Sequence, residues 1–104
     1  MILASTTSKN GVKIRLTDER WKHIVLMHPN LTDKRSRVLS ALKNPDYILR
    51  GKGRELLAVS EYFKNRYLVI VYKEASKDGF IITAFETTDT TWLFKKEILW
   101  SKLS

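Results

Sequence analysis

The chain has 104 residues, no cysteine, and 19 lysines and arginines against 11 acidic residues, which gives a formal net charge of +8. A chain of this length fits one domain, so we expect residues 1–104 to form it, with residues 1–11 as a polar, flexible lead-in. The lack of cysteine excludes disulfides, thiolate zinc sites and cysteine nucleophiles, and the positive charge favours a polyanionic partner such as nucleic acid.

The predicted elements begin with a strand and a helix. Residues 12–16 alternate apolar and polar side chains, which is the pattern of a half-buried strand. Thr17 is a good helix N-cap, and apolar side chains recur at helical spacing from there to His28. Pro29 ends this helix because the residue before a proline avoids the α region.

A second helix and a series of strands follow. The helix begins near Thr32, carries apolar side chains on one face and ends at Asn44. Strands are predicted at residues 47–50, 54–63, 67–72 and 80–87, with a hairpin turn at 76–79, a short helix at 91–97 and an apolar tail at 98–100. The predicted fold is therefore α+β, with two N-terminal helices packed on one face of an antiparallel meander sheet of about four to five strands.

Common phosphate-binding and metal-binding motifs are absent from the sequence. Gly51 and Gly53 lack the spacing and the following helix of a phosphate-binding loop, and the acidic residues do not cluster as they do at a magnesium site. His23 and His28 are five residues apart, whereas two zinc ligands on one helix are one turn apart. We therefore predict no metal and no cofactor.

The two histidines are candidate catalytic residues. Imidazole is the side chain that most readily exchanges a proton near neutral pH. His28 falls in one apolar stripe with Trp21 and Ile24 and is expected to face the sheet, whereas His23 lies on the other side of the helix. The alternative for each is a structural, hydrogen-bonded histidine, and the sequence does not choose between the two.

Two polar residues in the predicted strands are further catalytic candidates. Lys73 ends the most apolar strand, and Thr83 interrupts an otherwise apolar one. A hydroxyl group in a central strand needs a hydrogen-bond partner. The alternatives are a solvated charge at a strand end for Lys73, and for Thr83 a threonine that bonds locally in a strand that it favours.

Basic and aromatic side chains are candidates for holding a nucleic acid. Arg50, Arg54 and Lys95 lie near predicted turns or the C-terminus, from where they can contact phosphates. Tyr72 can stack on a base where its ring is exposed, and the alternative is that it fills the core. These four residues are the predicted substrate-binding set. RNA cleavage by the ribose 2′-hydroxyl needs a base, an acid and groups that stabilise the phosphorane, and these residue types supply them without a metal.

Five short segments carry a resemblance to a known superfamily. They are residues 20–24 (RWKHI), 28–29 (HP), 44–46 (NPD), 69–73 (VIVYK) and 82–85 (ITAF). The chain resembles small proteins with a W-x-H-I-x-x-x-H-P segment and a later I-T-A-F segment. Through them it resembles the barnase–EndoU–colicin–RelE superfamily of small nucleases, in particular its phage-associated branch and the BrnT-like toxins.

This resemblance covers roughly residues 12–100 and implies a ribonuclease with an active-site cleft. It implies that His23 or His28 lies near the cleft and that Thr83 takes the place of a small hydroxyl residue in a late strand. It also implies that Lys73 or Arg50 contacts phosphate. The chain differs from BrnT-like toxins in having Phe85 where those sequences have arginine.

Three functional hypotheses follow. The first is a metal-independent endoribonuclease, of the toxin type, that acts on RNA and has an acidic antitoxin-like partner. The second is a non-catalytic module that binds nucleic acid or protein through a basic face. The third is an accessory domain that docks on another protein through Trp92, Phe94 or Trp100. No segment has the length and apolar character of a signal peptide or a membrane span, so we expect a soluble, cytoplasmic protein without membrane association.

Overall fold

The structure, a computed structural model, describes residues 1–76 and 78–102. The strands in chain order are β1 (Ile2–Thr7), β2 (Lys13–Thr17), β3 (Tyr47–Arg50), β4 (Glu55–Phe63), β5 (Arg66–Ala75), β6 (Asp78–Thr87) and β7 (Ile98–Ser101). The helices are α1 (Asp18–Met27), a short 3-10 helix (Pro29–Leu31), α2 (Arg35–Lys43) and α3 (Thr90–Leu93). Lys77, in the turn predicted at residues 76–79, lies outside the described residues.

The seven strands form one mixed sheet in the order β1-β2-β6-β5-β4-β3-β7. The predicted fold was wrong in its sheet and in its order of elements, although the α+β class holds. The sheet is larger than predicted and is not purely antiparallel, because β2 pairs with β6 in parallel. Two strands precede the helices, and β1 forms within the stretch that was predicted to be a polar lead-in.

The first helix begins and ends where the sequence predicts. The hydroxyl oxygen of Thr17 accepts a hydrogen bond from the backbone N–H of Arg20 at 3.1 Å, which caps the first turn. At the other end the backbone N–H of His28 donates to the carbonyl of Ile24 at 2.8 Å. Pro29 then starts the 3-10 helix, because its fixed φ suits a first helical position.

The two faces of the sheet carry separate apolar cores. The first face packs against α1 and α2, and its buried residues include Ile14, Leu16, Ile24, Val38, Leu42, Leu68, Ile70, Tyr72 and Ala84. The second face packs against α3, and its buried residues are Leu49, Leu57, Val59, Val69, Val71 and Leu93. Strands β4 and β5 carry apolar side chains at both odd and even positions, because both of their faces are covered. None of the described helices is long and apolar enough to cross a membrane.

Tyr72 is an exception among the buried residues of the first core because its hydroxyl has no hydrogen-bond partner among the described residues. The side chain is 0% exposed. Burial, with a smaller contribution from the charge of Glu74, raises the pKa of this phenol. The hydroxyl group therefore stays neutral, and no hydrogen bond from the described residues compensates for its removal from water.

We predict that Tyr72→Phe increases the free energy of unfolding by about 1 kcal/mol, because it removes a buried hydroxyl group that has lost its bonds to water. Urea denaturation followed by circular dichroism measures the change. Tyr62→Phe, at a half-buried tyrosine on the same face, is the control and is expected to change stability by less than about 0.5 kcal/mol. A loss of stability in Tyr72→Phe of 1 kcal/mol or more would contradict the prediction.

Candidate nucleic-acid interface

The second face of the sheet is covered only in part. Leu93 of α3 and the neighbouring Phe94 pack over the apolar side chains of β3, β4 and β5. The ring of Phe94 lies against the rings of Tyr47 and Tyr67, at centroid distances of 5.0 and 5.5 Å. The end of this face formed by β2, the first residues of β6 and the last residues of β5 carries polar and exposed side chains instead. We call this end the open face. Further along β6, Ile82 and Phe85 are half-buried against the second core.

A row of side chains crosses the open face from strand to strand. Glu55 pairs with Lys73, Lys73 with Phe80, Phe80 with Arg15, and Arg15 with Ser5. Residues that are directly opposed on neighbouring strands point to the same face. The alternation of β2 gives the same result, since its buried residues Ile14 and Leu16 face the helices and the residue between them faces away. We call Glu55, Lys73, Phe80, Arg15 and Ser5 the cross-strand row.

A β-bulge in β6 brings Thr83 to the open face. Val71 pairs with Thr83, but the next residue of β5, Tyr72, pairs with Ile81, which leaves Ile82 as the extra residue. Because of this extra residue, Phe80 and Thr83 point to the same face although they are an odd number of positions apart. Val71 and Lys73 are two positions apart on β5, so Thr83 and Lys73 are diagonal neighbours on the open face.

His28 lies at the end of α1, beside the part of β6 that β2 does not cover. Its ring is 6.2 Å from the ring of Phe85, which is two residues beyond Thr83 and faces the same side. The ring of Trp92 lies 6.1 Å from Phe85 on its other side, and the Lys96 ammonium lies 4.8 Å from the Trp92 ring. His28, Phe85, Trp92 and Lys96 form the aromatic end of the open face.

Positive charge predominates on the open face. Lys73 has no ion pair among the described residues, although Glu55 is its neighbour in the cross-strand row. Arg15 has one ion pair, from Nη2 to Oδ2 of Asp78 at 3.0 Å, and Lys13 is exposed beside it. The face therefore combines exposed and half-buried cations with aromatic rings, and cations beside aromatic rings can hold nucleic-acid backbones and bases.

Three of the residues predicted from the sequence come together here. Lys73 and Thr83 are diagonal neighbours, and His28 reaches the same strand through its contact with Phe85. His23 is exposed on α1 and has no side-chain hydrogen bond or ring contact among the described residues. The structure therefore favours His28 over His23 as the histidine of this surface.

Of the four predicted substrate-binding residues, Tyr72 and Arg50 lie away from this group, whereas Arg54 and Lys95 are the chain neighbours of Glu55 and Lys96. Tyr72 is fully buried on the opposite face, so its ring offers no surface for a base, which corrects that prediction. Arg50 lies beside β7, where its Nε is 2.8 Å from Oε1 of Glu97. Arg54 is exposed in the turn before β4, and Lys95 is exposed after α3.

The sequence interpretation missed Arg15 and Phe80. The alternation in residues 12–16 contains the signal for Arg15, because it places this residue on the face away from the buried Ile14 and Leu16. No such signal exists for Phe80, since an isolated phenylalanine in a strand is usually a core residue. Its exposure, 42%, fits its place in the cross-strand row, outside both apolar cores.

Comparisons with known proteins do not assign this surface to a family. Searches against models of protein families, against curated proteins and against solved structures each found no significant match. Within the described residues, histidine and carboxylate side chains do not form a group of three or more that could hold a metal ion.

Proposed function

We propose that the chain is a metal-independent endoribonuclease that binds RNA on the open face and cleaves it with His28, Thr83 and Lys73. The observation that supports this proposal is that three half-buried side chains share one positively charged surface: an imidazole, a hydroxyl group and an ammonium group without an ion pair among the described residues. The resemblance to small nucleases of the toxin type is consistent with it. An acidic antitoxin-like protein is the partner that would neutralise such a face in the cytoplasm.

The proposed reaction is attack of a ribose 2′-oxygen on the adjacent phosphorus, which forms a cyclic phosphate and breaks the bond to the 5′-oxygen. We assign His28 as the base that accepts the 2′-hydroxyl proton. Lys73 donates a proton to the departing 5′-oxygen and balances the charge of the phosphorane. Thr83 donates a hydrogen bond to a non-bridging oxygen, a role that a single hydroxyl group can fill without a change in charge.

A second candidate function is a binding module without catalysis. The exposed rings of Phe80 and Trp92 favour it, because stacking on bases needs no reaction. Such a module would bind RNA with an affinity that falls steeply as the salt concentration rises, because cations on the protein release the counterions of the phosphates. It would leave the RNA intact.

We predict that the purified chain cleaves RNA at the same rate in EDTA as in magnesium, because every group assigned to the reaction is a side chain. The measurement is incubation with total RNA and with a labelled oligonucleotide, followed by gel electrophoresis. Fragments that end in a 2′,3′-cyclic phosphate identify attack by the 2′-oxygen. Cleavage that stops in EDTA and returns with magnesium would reject the proposed chemistry, and binding without cleavage would support the second candidate function.

A further inference from the structure

We infer that the open face takes single-stranded RNA, with a phosphate held between Arg15 and Arg20 and the neighbouring base stacked on Phe80. This inference uses the proposed function only for the class of ligand. A cavity of about 330 Å³ adjoins the cross-strand row at the point where β2 ends and α1 begins. Its lining consists of Ile2, Arg15, Thr17, Arg20, Phe80 and Ile81.

Two guanidinium groups line this cavity from different elements. Arg20 lies in the first turn of α1, is exposed, and its guanidinium has no partner among the described residues. Arg15 lies on β2 and uses one of its nitrogens to bind Asp78. A guanidinium has five N–H groups, so one carboxylate leaves donors free for a phosphate. The two arginines and the hydroxyl group of Thr17 can therefore surround one phosphate from two sides.

Phe80 provides a flat apolar surface beside these cations. It is exposed although it lies in an inner strand, and its neighbours across the strands are Arg15 and Lys73. An aromatic ring between cations is the arrangement that stacks a base while its backbone is held by charge. A base within a duplex is already stacked on both sides, so only an unpaired base can reach the ring. The site therefore selects single strands.

Asp78 is the acidic group that binds Arg15, and replacing it tests the inference with an expected gain in affinity instead of a loss. Asp18 and Glu19, between Thr17 and Arg20, are paired with the ammonium group of Met1. The Oδ2 of Asp78 binds Arg15, and its Oδ1 accepts a hydrogen bond from the backbone N–H of Gly79 at 3.0 Å. Asp78→Asn keeps an oxygen for that bond but removes the negative charge. We expect it to bind RNA more tightly, by several fold, because a repulsive charge is lost and Arg15 is released.

The experiment measures the affinity of the chain for a fluorescent RNA that carries 2′-O-methyl groups at every position. This RNA has no 2′-hydroxyl to react, so binding is measured apart from cleavage. We expect Phe80→Ala to weaken the binding about tenfold, which is the usual effect of losing one stacked base. Arg20→Ala is expected to weaken the binding several fold. It is also expected to reduce the slope of log affinity against log salt concentration by about one, which corresponds to the loss of one phosphate contact.

Two control variants test whether the loss of any surface charge or any exposed apolar side chain would weaken the binding. Phe63→Ala removes a phenylalanine that is 64% exposed at the far end of β4, and Arg35→Ala removes an exposed arginine of α2. Both are expected to bind like the unchanged chain. A duplex of the same sequence is expected to bind at least tenfold more weakly than the single strand. Circular dichroism and urea denaturation of each variant establish that it is folded.

The outcomes for binding and for cleavage are distinct. If Phe80→Ala and Phe63→Ala bind equally well, or if the duplex binds as tightly as the single strand, the inference is overturned whether or not the chain cleaves RNA. An absence of binding by the unchanged chain also overturns it. If the Phe80 and Arg20 variants bind weakly but unmodified RNA is never cleaved, the inference stands and the proposed catalysis fails.

Discussion

Replacing His28 by alanine is expected to lower the rate of RNA cleavage by about 10²–10⁴-fold, the usual contribution of a general base. His28 is the histidine whose ring contacts the strand that carries Thr83. Its side chain has no hydrogen bond among the described residues, so the fold does not depend on its polar atoms. The loss of rate should therefore appear without a change of more than about 1 kcal/mol in the free energy of unfolding.

His23→Ala is the matched control for this prediction. It removes an imidazole from the same helix at an exposed position without a partner among the described residues. We expect its single-turnover rate on a labelled oligonucleotide to equal that of the unchanged chain. The assignment of His28 is rejected when the His23 variant loses activity and the His28 variant keeps it, because the reacting histidine would then lie on the other side of α1.

Replacing Gly79 by alanine is expected to lower the free energy of unfolding by about 3 kcal/mol or more. A Cβ atom at this position would overlap the backbone carbonyl oxygen of Lys73 and would lie 2.7 Å from Cδ1 of Ile14. The backbone oxygen belongs to the β5–β6 pairing and cannot move without breaking it. Gly79 also pairs with Ile14 in the parallel β2–β6 ladder, so both ladders that build the open face are disturbed.

Gly53→Ala is the control for this loss of stability. Gly53 has a φ of +57° in the turn before β4, and a Cβ there would meet open space. We expect it to cost about 1 kcal/mol through backbone strain alone. Urea denaturation at a single temperature compares the two variants. Equal losses of stability for Gly79→Ala and Gly53→Ala would contradict the prediction, because they would show that a Cβ atom at Gly79 does not disturb the pairing of the strands.

The helix α1 was predictable from the sequence because its signals are local, whereas the helix predicted at residues 91–97 ends at Leu93. Thr17 caps α1 through a bond to Arg20, three residues away, and Pro29 prevents its continuation. The strand with the clearest sequence pattern was also predictable, because residues 67–72 carry apolar and β-branched side chains at both odd and even positions. These features depend on neighbours in the chain and not on the fold as a whole.

The extent and the pairing of the sheet depend on contacts between distant residues. Half of the side chains of β1 are small and polar, such as Ser5 and Thr6, and the segment becomes a strand because β2 offers it a free edge. The parallel pairing of β2 with β6 joins Ile14 to Gly79, which are far apart in sequence. A short hydrophobic pattern indicates that a strand exists but not which strand lies beside it.

The candidate site was predictable only in part for the same reason. Lys73 and Thr83 stood out as polar residues in apolar strands, and the structure places them as diagonal neighbours. Strict alternation would put Thr83 on the face opposite to Phe80, and only the extra residue at Ile82 brings them to one side. Tyr72 was a wrong prediction because a tyrosine looks the same in sequence whether it is buried or exposed.

The use of the open face by RNA can be tested by NMR titration of the ¹⁵N-labelled chain with single-stranded RNA that carries 2′-O-methyl groups. The chain offers a second basic surface on α2, with Arg35 and Arg37 exposed, so the two can be distinguished by the amides that respond. We predict that the largest shift changes fall at Arg15, Phe80 and Thr83. Shift changes confined to α2, or none at saturating RNA, would contradict the placement of RNA on the open face.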